Sequence, residues 1–346
     1  MKKFIELKKL KPGDQVAVIS PAGDAAARFP WVYELGITRL KEEFGLEPKE
    51  YPSTLKLAAS HEDKAKDLIA AFSDPNNKAA FATIGGFDQI QMLKLLDSSI
   101  FVDNPKPFFG SSDNTQLVNF LWRYGIPSYY CGSIMPQLAF PGAMPDLSIE
   151  YLKHAIFDEG EYEIKSSNEF NEETTDWSDE ENWSVARKME PNEGWIWDVK
   201  NDAKGILWGG CLESMVVIFS SGINIPKDDE LDDCILFLET SEEIPQPWSI
   251  AYVLMGMGER GWFDRFKAVL IGRPKAWHIN NRMTIVEKKK YRQEHGETIQ
   301  KTIRYYNKNI PIVQNMDFGH TDPQIAVPSG KNARIDSNDR KIYFEY

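Results

Sequence analysis

The chain has 346 residues, 42% of them hydrophobic, and a formal net charge of −12. At about 100 to 200 residues per domain, that length predicts two globular domains. The acidic balance excludes a nucleic-acid polymer as partner, because a phosphate backbone requires a concentrated basic surface; a small molecule or peptide fits better.

In chain order, Lys2 and Lys3 open as a signal peptide would, but Glu6 and Lys8 break the apolar run before an h-region forms. No stretch approaches the roughly 18 apolar residues of a membrane span. A cytoplasmic protein with no membrane partner is expected. Residues 15–20 read as an apolar, β-branched strand halted by Pro21-Ala22-Gly23, and residues 31–43 follow with helical period. Ser60 and Asp63 make a capping box for a helix to about Phe72. Residues 79–84 read as a buried strand ending at Gly85-Gly86, and a helix follows from Gln89 to Leu96. Residues 106–121 read as a short strand, a sharp turn carrying Ser112, and a helix with apolar Leu117, Val118 and Leu121; residues 128–131 form another strand. Such β/α alternation predicts, for residues 1–165, an α/β domain with a flavodoxin- or Rossmann-like parallel sheet covered by helices, its ligands at the strands' carboxyl ends.

Residues 166–200 break the pattern, being acidic yet carrying Trp177, Trp183, Trp195 and Trp197. They read as an inter-domain loop. A purely solvated acidic linker has few aromatics, so the tryptophans either pack onto a domain, the plainer reading, or wall a cleft. Residues 201–346 predict a smaller, β-rich mixed C-terminal domain, with strands at 205–210, 234–239 and 268–272 and helices at 212–219 and 250–258. Residues 284–308 read as a charged helix, with Glu287-Lys288-Lys289-Lys290 as a solvated face. There is no internal repeat. Cys131, Cys211 and Cys234 are odd in number and lack ligand spacing, which predicts buried, reduced thiols and no metal site.

A tight strand-to-helix turn lifts a serine out of the sheet, in front of the free N–H groups of the helix's first turn. Gly110-Ser111-Ser112-Asp113-Asn114 lacks the second glycine of G-x-S-x-G, so Ser111, Ser112 and Asp113 also read as helix caps. A serine nucleophile needs a base that a third polar group orients. Of the five histidines, His61, His154 and His295 read as structural or solvated. His278 follows a strand and Pro274, whereas His320 lies where a short strand opens into a Gly/Pro loop. Glu239 ends an apolar strand, where a carboxylate has no stabilising role unless it faces a site; Glu242 and Glu243 read as solvated loop residues. Gly85-Gly86 lets a backbone N–H approach a substrate. These glycines and the helix N-termini also suit phosphate, which leaves a non-catalytic nucleotide-binding module as a second class. Against that class, neither G-x-G-x-x-G nor G-x-x-x-x-G-K-[ST] is present.

Gly85-Gly86, Gly110-Ser111-Ser112-Asp113, Gly209-Gly210, Leu236-Phe237-Leu238-Glu239 and Gly319-His320, in this order, resemble the LD-carboxypeptidase family of serine peptidases. Residues 11–21 near the start and Pro328-Ser329-Gly330 near the end add to the match, which spans nearly the whole chain. The resemblance implies Ser112 as nucleophile, Glu239 as the residue fixing the imidazole, and His320 as general base and then acid. It further implies Gly86 and Asp113 N–H groups as the oxyanion hole, a site between two domains, a homodimer, and no metal or cofactor. Members that cleave peptidoglycan, the muramoyltetrapeptide LD-carboxypeptidases, often carry arginine before Gly-Gly, where this chain has Ile84. Together with Gly85 and the Trp-bearing insertion, Ile84 is more similar to the microcin-immunity branch, which cleaves peptidyl- or aminoacyl-nucleotides. In that branch an insertion tryptophan stacks on the nucleobase, which makes Trp177 and Trp183 the candidates here.

Overall fold

The computed structural model describes residues 2–346. The first five strands are β1 (Gln15–Ile19), β2 (Glu47–Glu50), β3 (Asn77–Ala82), β4 (Phe108–Phe109) and β5 (Ser128–Tyr130). They lie in the order β2-β1-β3-β4-β5 and are all parallel, which is the flavodoxin-like doubly wound order. Val16 to Ile19 of β1, and every residue of β3 except Lys78, are buried. Helices cover a parallel sheet on both faces, so its strands read as continuous apolar runs rather than alternating ones.

The next strands are β6 (Glu161–Ile164), β7 (Glu169–Phe170), β8 (Glu190–Pro191), β9 (Ile196–Asp198), β10 (Ala203–Cys211), β11 (Cys234–Glu239) and β12 (Ala268–Gly272). They are followed by β13 (Ile312–Met316), β14 (Val327–Ser329), β15 (Asn332–Asp336) and β16 (Lys341–Glu345). The second sheet runs β6-β16-β15-β10-β11-β12-β13-β9. Its centre, β10 to β13, is parallel, and its flanks are antiparallel. β11 is buried throughout, whereas β15 and β16 alternate in burial, as strands with one wet face do. β14 crosses back and pairs antiparallel with β5, so the last part of the chain also completes the edge of the first sheet.

The helix Thr115–Arg123 joins the two sheets, with every residue from Thr115 to Trp122 buried. Asn119 Nδ2 donates to the Gly209 carbonyl at 3.0 Å, Trp122 Nε1 donates to that of Leu207 at 3.2 Å, and the Cys211 N–H donates to Thr115 Oγ1 at 2.9 Å. The helix therefore rests directly on β10. Gly210 permits this approach, because a Cβ there would lie 2.4 Å from Thr115 Cγ2.

Residues 166–200, expected as a loop, are built of short elements tied to the second sheet. β7 pairs with β8, and β9 pairs with β13. Asp317, which is fully buried, accepts hydrogen bonds from the Ser167 N–H and hydroxyl and from Trp195 Nε1, and pairs with buried Arg273 at 2.6 Å. The helix expected at 284–308 spans Ile285–Tyr306 and opens on a Thr284/Glu287 capping box. Lys288 corrects the expected solvated face: it is buried and pairs with Glu172 at 2.9 Å. All three cysteines are free and buried. Among the described residues, no helix is long and apolar enough to cross a membrane.

Candidate active site

β3, β4, β11 and β13 all end at one place. Beyond β4 the chain turns through Ser111 into a short 3-10 turn, Ser112–Asn114, before the helix Thr115–Arg123 begins. Ser112 holds φ at +61°, a left-handed conformation that costs a non-glycine residue about 1–3 kcal/mol and clusters at functional sites. Its N–H donates to Tyr130 Oη at 2.8 Å, which holds the turn in place.

His320 follows β13, and its Nε2 lies 3.0 Å from Ser112 Oγ. Its Nδ1 is 2.7 Å from Oε2 of Glu239, the last residue of β11, which is 1% exposed. Gly319 makes that approach possible: it sits at φ +108°, and a Cβ there would lie 2.6 Å from Glu239 Oε2. The three side chains named from sequence thus form one hydrogen-bonded line, Ser112 to His320 to Glu239. Burial disfavours the His320 imidazolium, but the Glu239 and Glu242 carboxylates outweigh it and hold the ring's pKa up at about 9.

Tyr130 is a residue that sequence reasoning passes over, being one aromatic in a strand. Its hydroxyl donates to Glu239 Oε1 at 2.5 Å while accepting the Ser112 N–H. Burial and the Glu239 charge push its pKa well up, so it remains a donor. One hydroxyl therefore bridges the turn that carries the serine and the carboxylate that orients the histidine.

Gly85 lies against the serine turn, and a Cβ there would come within 2.7 Å of Ser112 Cβ and 3.3 Å of the Asp113 nitrogen. Gly86 lines the same space. Neither the Gly86 N–H nor the Asp113 N–H donates to another backbone or side-chain group among the described residues. The Asp113 side chain points away and is buried, accepting from the Gln89 N–H at 3.0 Å. Burial raises its carboxyl to about 6.

A cavity of about 380 Å³ opens over Ser112, lined among others by Gly85, Gly86, His320, Trp177 and Glu242. Trp177 and Trp183 do not share one position. Trp177 faces the cavity, while Trp183 is 7% exposed and packs edge-on behind it at 6.0 Å between ring centroids. His278 bonds within its own turn, and His295 is buried against Thr240. Glu242 is only partly the solvated residue expected: its side chain is 45% exposed, but its Oε2 is buried, within ion-pair distance of His320 Nε2 at 3.1 Å though without a hydrogen bond of its own.

In chemical terms, the line can remove a proton from a serine hydroxyl whose attack would develop an oxyanion in front of unpaired backbone N–H groups. Comparison with known proteins places the chain in a family. The family model for the LD-carboxypeptidase N-terminal domain matches residues 16–131, and that for the C-terminal domain matches residues 204–335. YocD of Bacillus subtilis, which its name assigns provisionally to the carboxypeptidases, is 28% identical over 95% of each chain. The crystal structure of an MccF-like protein from Streptococcus pneumoniae in complex with AMP has 28% identity, covers 96% of this chain and 99% of its own, and gives a TM-score of 0.85. The microcin C7 self-immunity protein MccF of Escherichia coli is 21% identical over 81% of this chain and 77% of its own. Its complex with aspartyl sulfamoyl adenosine shares the fold, with a TM-score of 0.84 at 19% identity over 99% and 98% of the two chains. With both halves matched, this chain belongs to the LD-carboxypeptidase family of serine peptidases and is a serine-type hydrolase.

Proposed function

We propose that the protein cleaves an amide bond in an aminoacyl- or peptidyl-nucleotide through Ser112, His320 and Glu239. The observation that carries the reading is the hydrogen-bonded line of 3.0 and 2.7 Å from serine to histidine to glutamate. His320 Nε2 takes the Ser112 proton as Oγ attacks the acyl carbon. The Gly86 and Asp113 N–H groups receive the oxyanion, and Glu239 holds the ring and its developing charge. The same imidazole then protonates the leaving nitrogen, and water attacking the acyl-serine reverses the roles. A mere binding pocket would have no use for a serine in a strained backbone aligned on an imidazole.

Trp177 supports a nucleobase as part of the substrate, since an indole lining the cavity offers a ring for stacking, and the pneumococcal relative was crystallised with AMP. The test is a product assay on two substrates given separately, a muropeptide and an aminoacyl sulfamoyl adenosine. The nucleotide compound should be hydrolysed, and Ser112→Ala should lower turnover by several orders of magnitude. Trp177→Ala should raise KM for the nucleotide by about 5- to 150-fold, the equivalent of roughly 1–3 kcal/mol of stacking. Cleavage of the muropeptide alone would assign the peptidoglycan substrate instead. Near-normal turnover by Ser112→Ala would remove the serine's role.

A further inference from the structure

Glu242 sits where a general base should be free. Ser112 Oγ, at 3.0 Å, and Glu242 Oε2, at 3.1 Å, address the same nitrogen, His320 Nε2. These partners suit opposite charge states of the ring. A neutral Nε2 offers a lone pair, which accepts the serine proton but repels a carboxylate oxygen at that distance. A protonated Nε2 pairs with Glu242 and cannot deprotonate anything. Together with Glu239 on the far side, Glu242 favours the charged, idle form.

The cavity's own cations do not relieve this. Lys275 Nζ donates to Thr174 Oγ1 at 2.8 Å, and Arg187 is engaged by Asp322 at 3.1 Å and by Thr175 at 3.2 Å. The charge of Lys275, and after it that of His278, reaches Glu242 only through space, and Glu243 beside it adds negative charge. Among the described residues, His320 is the one ion-pair partner of Glu242. A cation that takes Glu242 from His320 has to arrive with the substrate.

We propose that Glu242 binds an ammonium group carried by the substrate beside its scissile carbonyl, and that this pairing frees His320 to act as base. The inference rests on the serine-hydrolase reading above and narrows its substrate to aminoacyl compounds whose α-nitrogen is free. In a murein peptide that nitrogen is acylated. The sign is fixed: neutralising Glu242, by pairing or by substitution, removes a charge that raises the His320 pKa, so the ring's titration moves down from about 9.

The test follows the His320 ring by NMR in Ser112→Ala protein with 15N-labelled histidine, with alanyl sulfamoyl adenosine and its N-acetyl derivative as probes. Saturation with the alanyl compound should lower the ring's titration midpoint by about 1 pH unit or more, whereas the acetylated compound should leave it in place. Ser112→Ala/Glu242→Gln should start from a lower midpoint that neither probe moves. In active enzyme, the acid limb of kcat for the alanyl compound should lie at lower pH than that of kcat/KM, because the first reports the complex and the second the free enzyme. Binding of both probes with an unmoved midpoint would overturn this inference and leave the serine hydrolase standing. Binding of neither would overturn the nucleotide reading and this inference with it.

Discussion

Ser112 keeps its left-handed backbone because two contacts hold it: its N–H on the Tyr130 hydroxyl and its Oγ on His320. In the proposed reaction Tyr130 is a positioning residue, acting through the serine turn and through Glu239 rather than on the substrate. Tyr130→Phe preserves the ring packed against Phe237 and deletes only the hydroxyl. A hydrogen bond to a charged group is worth about 1.5–3 kcal/mol, so kcat should fall by about one to two orders of magnitude with KM little changed. Losing a donor leaves Glu239 a stronger partner for the imidazolium, so the acid limb of kcat/KM should move up in pH. Glu242→Gln should move it down, and a variant that merely loosened the fold would produce no such opposition. At this scale, the meeting of Ser112, Glu239 and His320 is legible in the sequence because each ends an apolar strand or follows one, where a polar side chain needs a reason. Tyr130 and Glu242 are not, because their roles depend on where a hydroxyl and a carboxylate oxygen point, and linear order carries no such information.

The helix Thr115–Arg123 transmits the position of β10 to the serine turn at its own N-terminus. Its seat depends on Gly210, which sits at φ +144° and would, as any other residue, press a Cβ into Thr115. Gly210→Ala should therefore destabilise the protein by about 1–3 kcal/mol, the usual cost of overpacking, as read from denaturant unfolding. It should also lower kcat by at least about tenfold, because misplacement by an ångström costs more than that at a reacting centre. Unchanged kcat would mean that the helix does not set the serine's position. The inner parallel strands β1, β3 and β11 are legible because burial on two faces writes an unbroken apolar run, whereas the exposed edge strand β2 carries no such run. β15 and β16 escape notice, since short strands with one wet face carry a weak signal. Lys288 misleads for a related reason: within Glu287-Lys288-Lys289-Lys290 only the helix's orientation separates the one lysine that reaches Glu172 from its exposed neighbours.

At the scale of the molecule, the proposed reaction draws on both sheets. The first sheet supplies the serine turn and Gly85-Gly86, while the second supplies Glu239 and His320 from the ends of β11 and β13. Residues 166–200 bring Trp177 over the same cavity, anchored through Trp195 and Ser167 on Asp317. That anchoring was illegible in an acidic stretch, because its partners lie more than a hundred residues away. The central claim is that two distant parts of the chain meet to make one hydroxyl nucleophilic, and reaction with a fluorophosphonate, followed by peptide mass spectrometry, tests it most directly. A single adduct should form on Ser112 in the wild-type protein and be lost in His320→Ala. An adduct on another residue, no adduct, or undiminished labelling of Ser112 without the imidazole would contradict that claim.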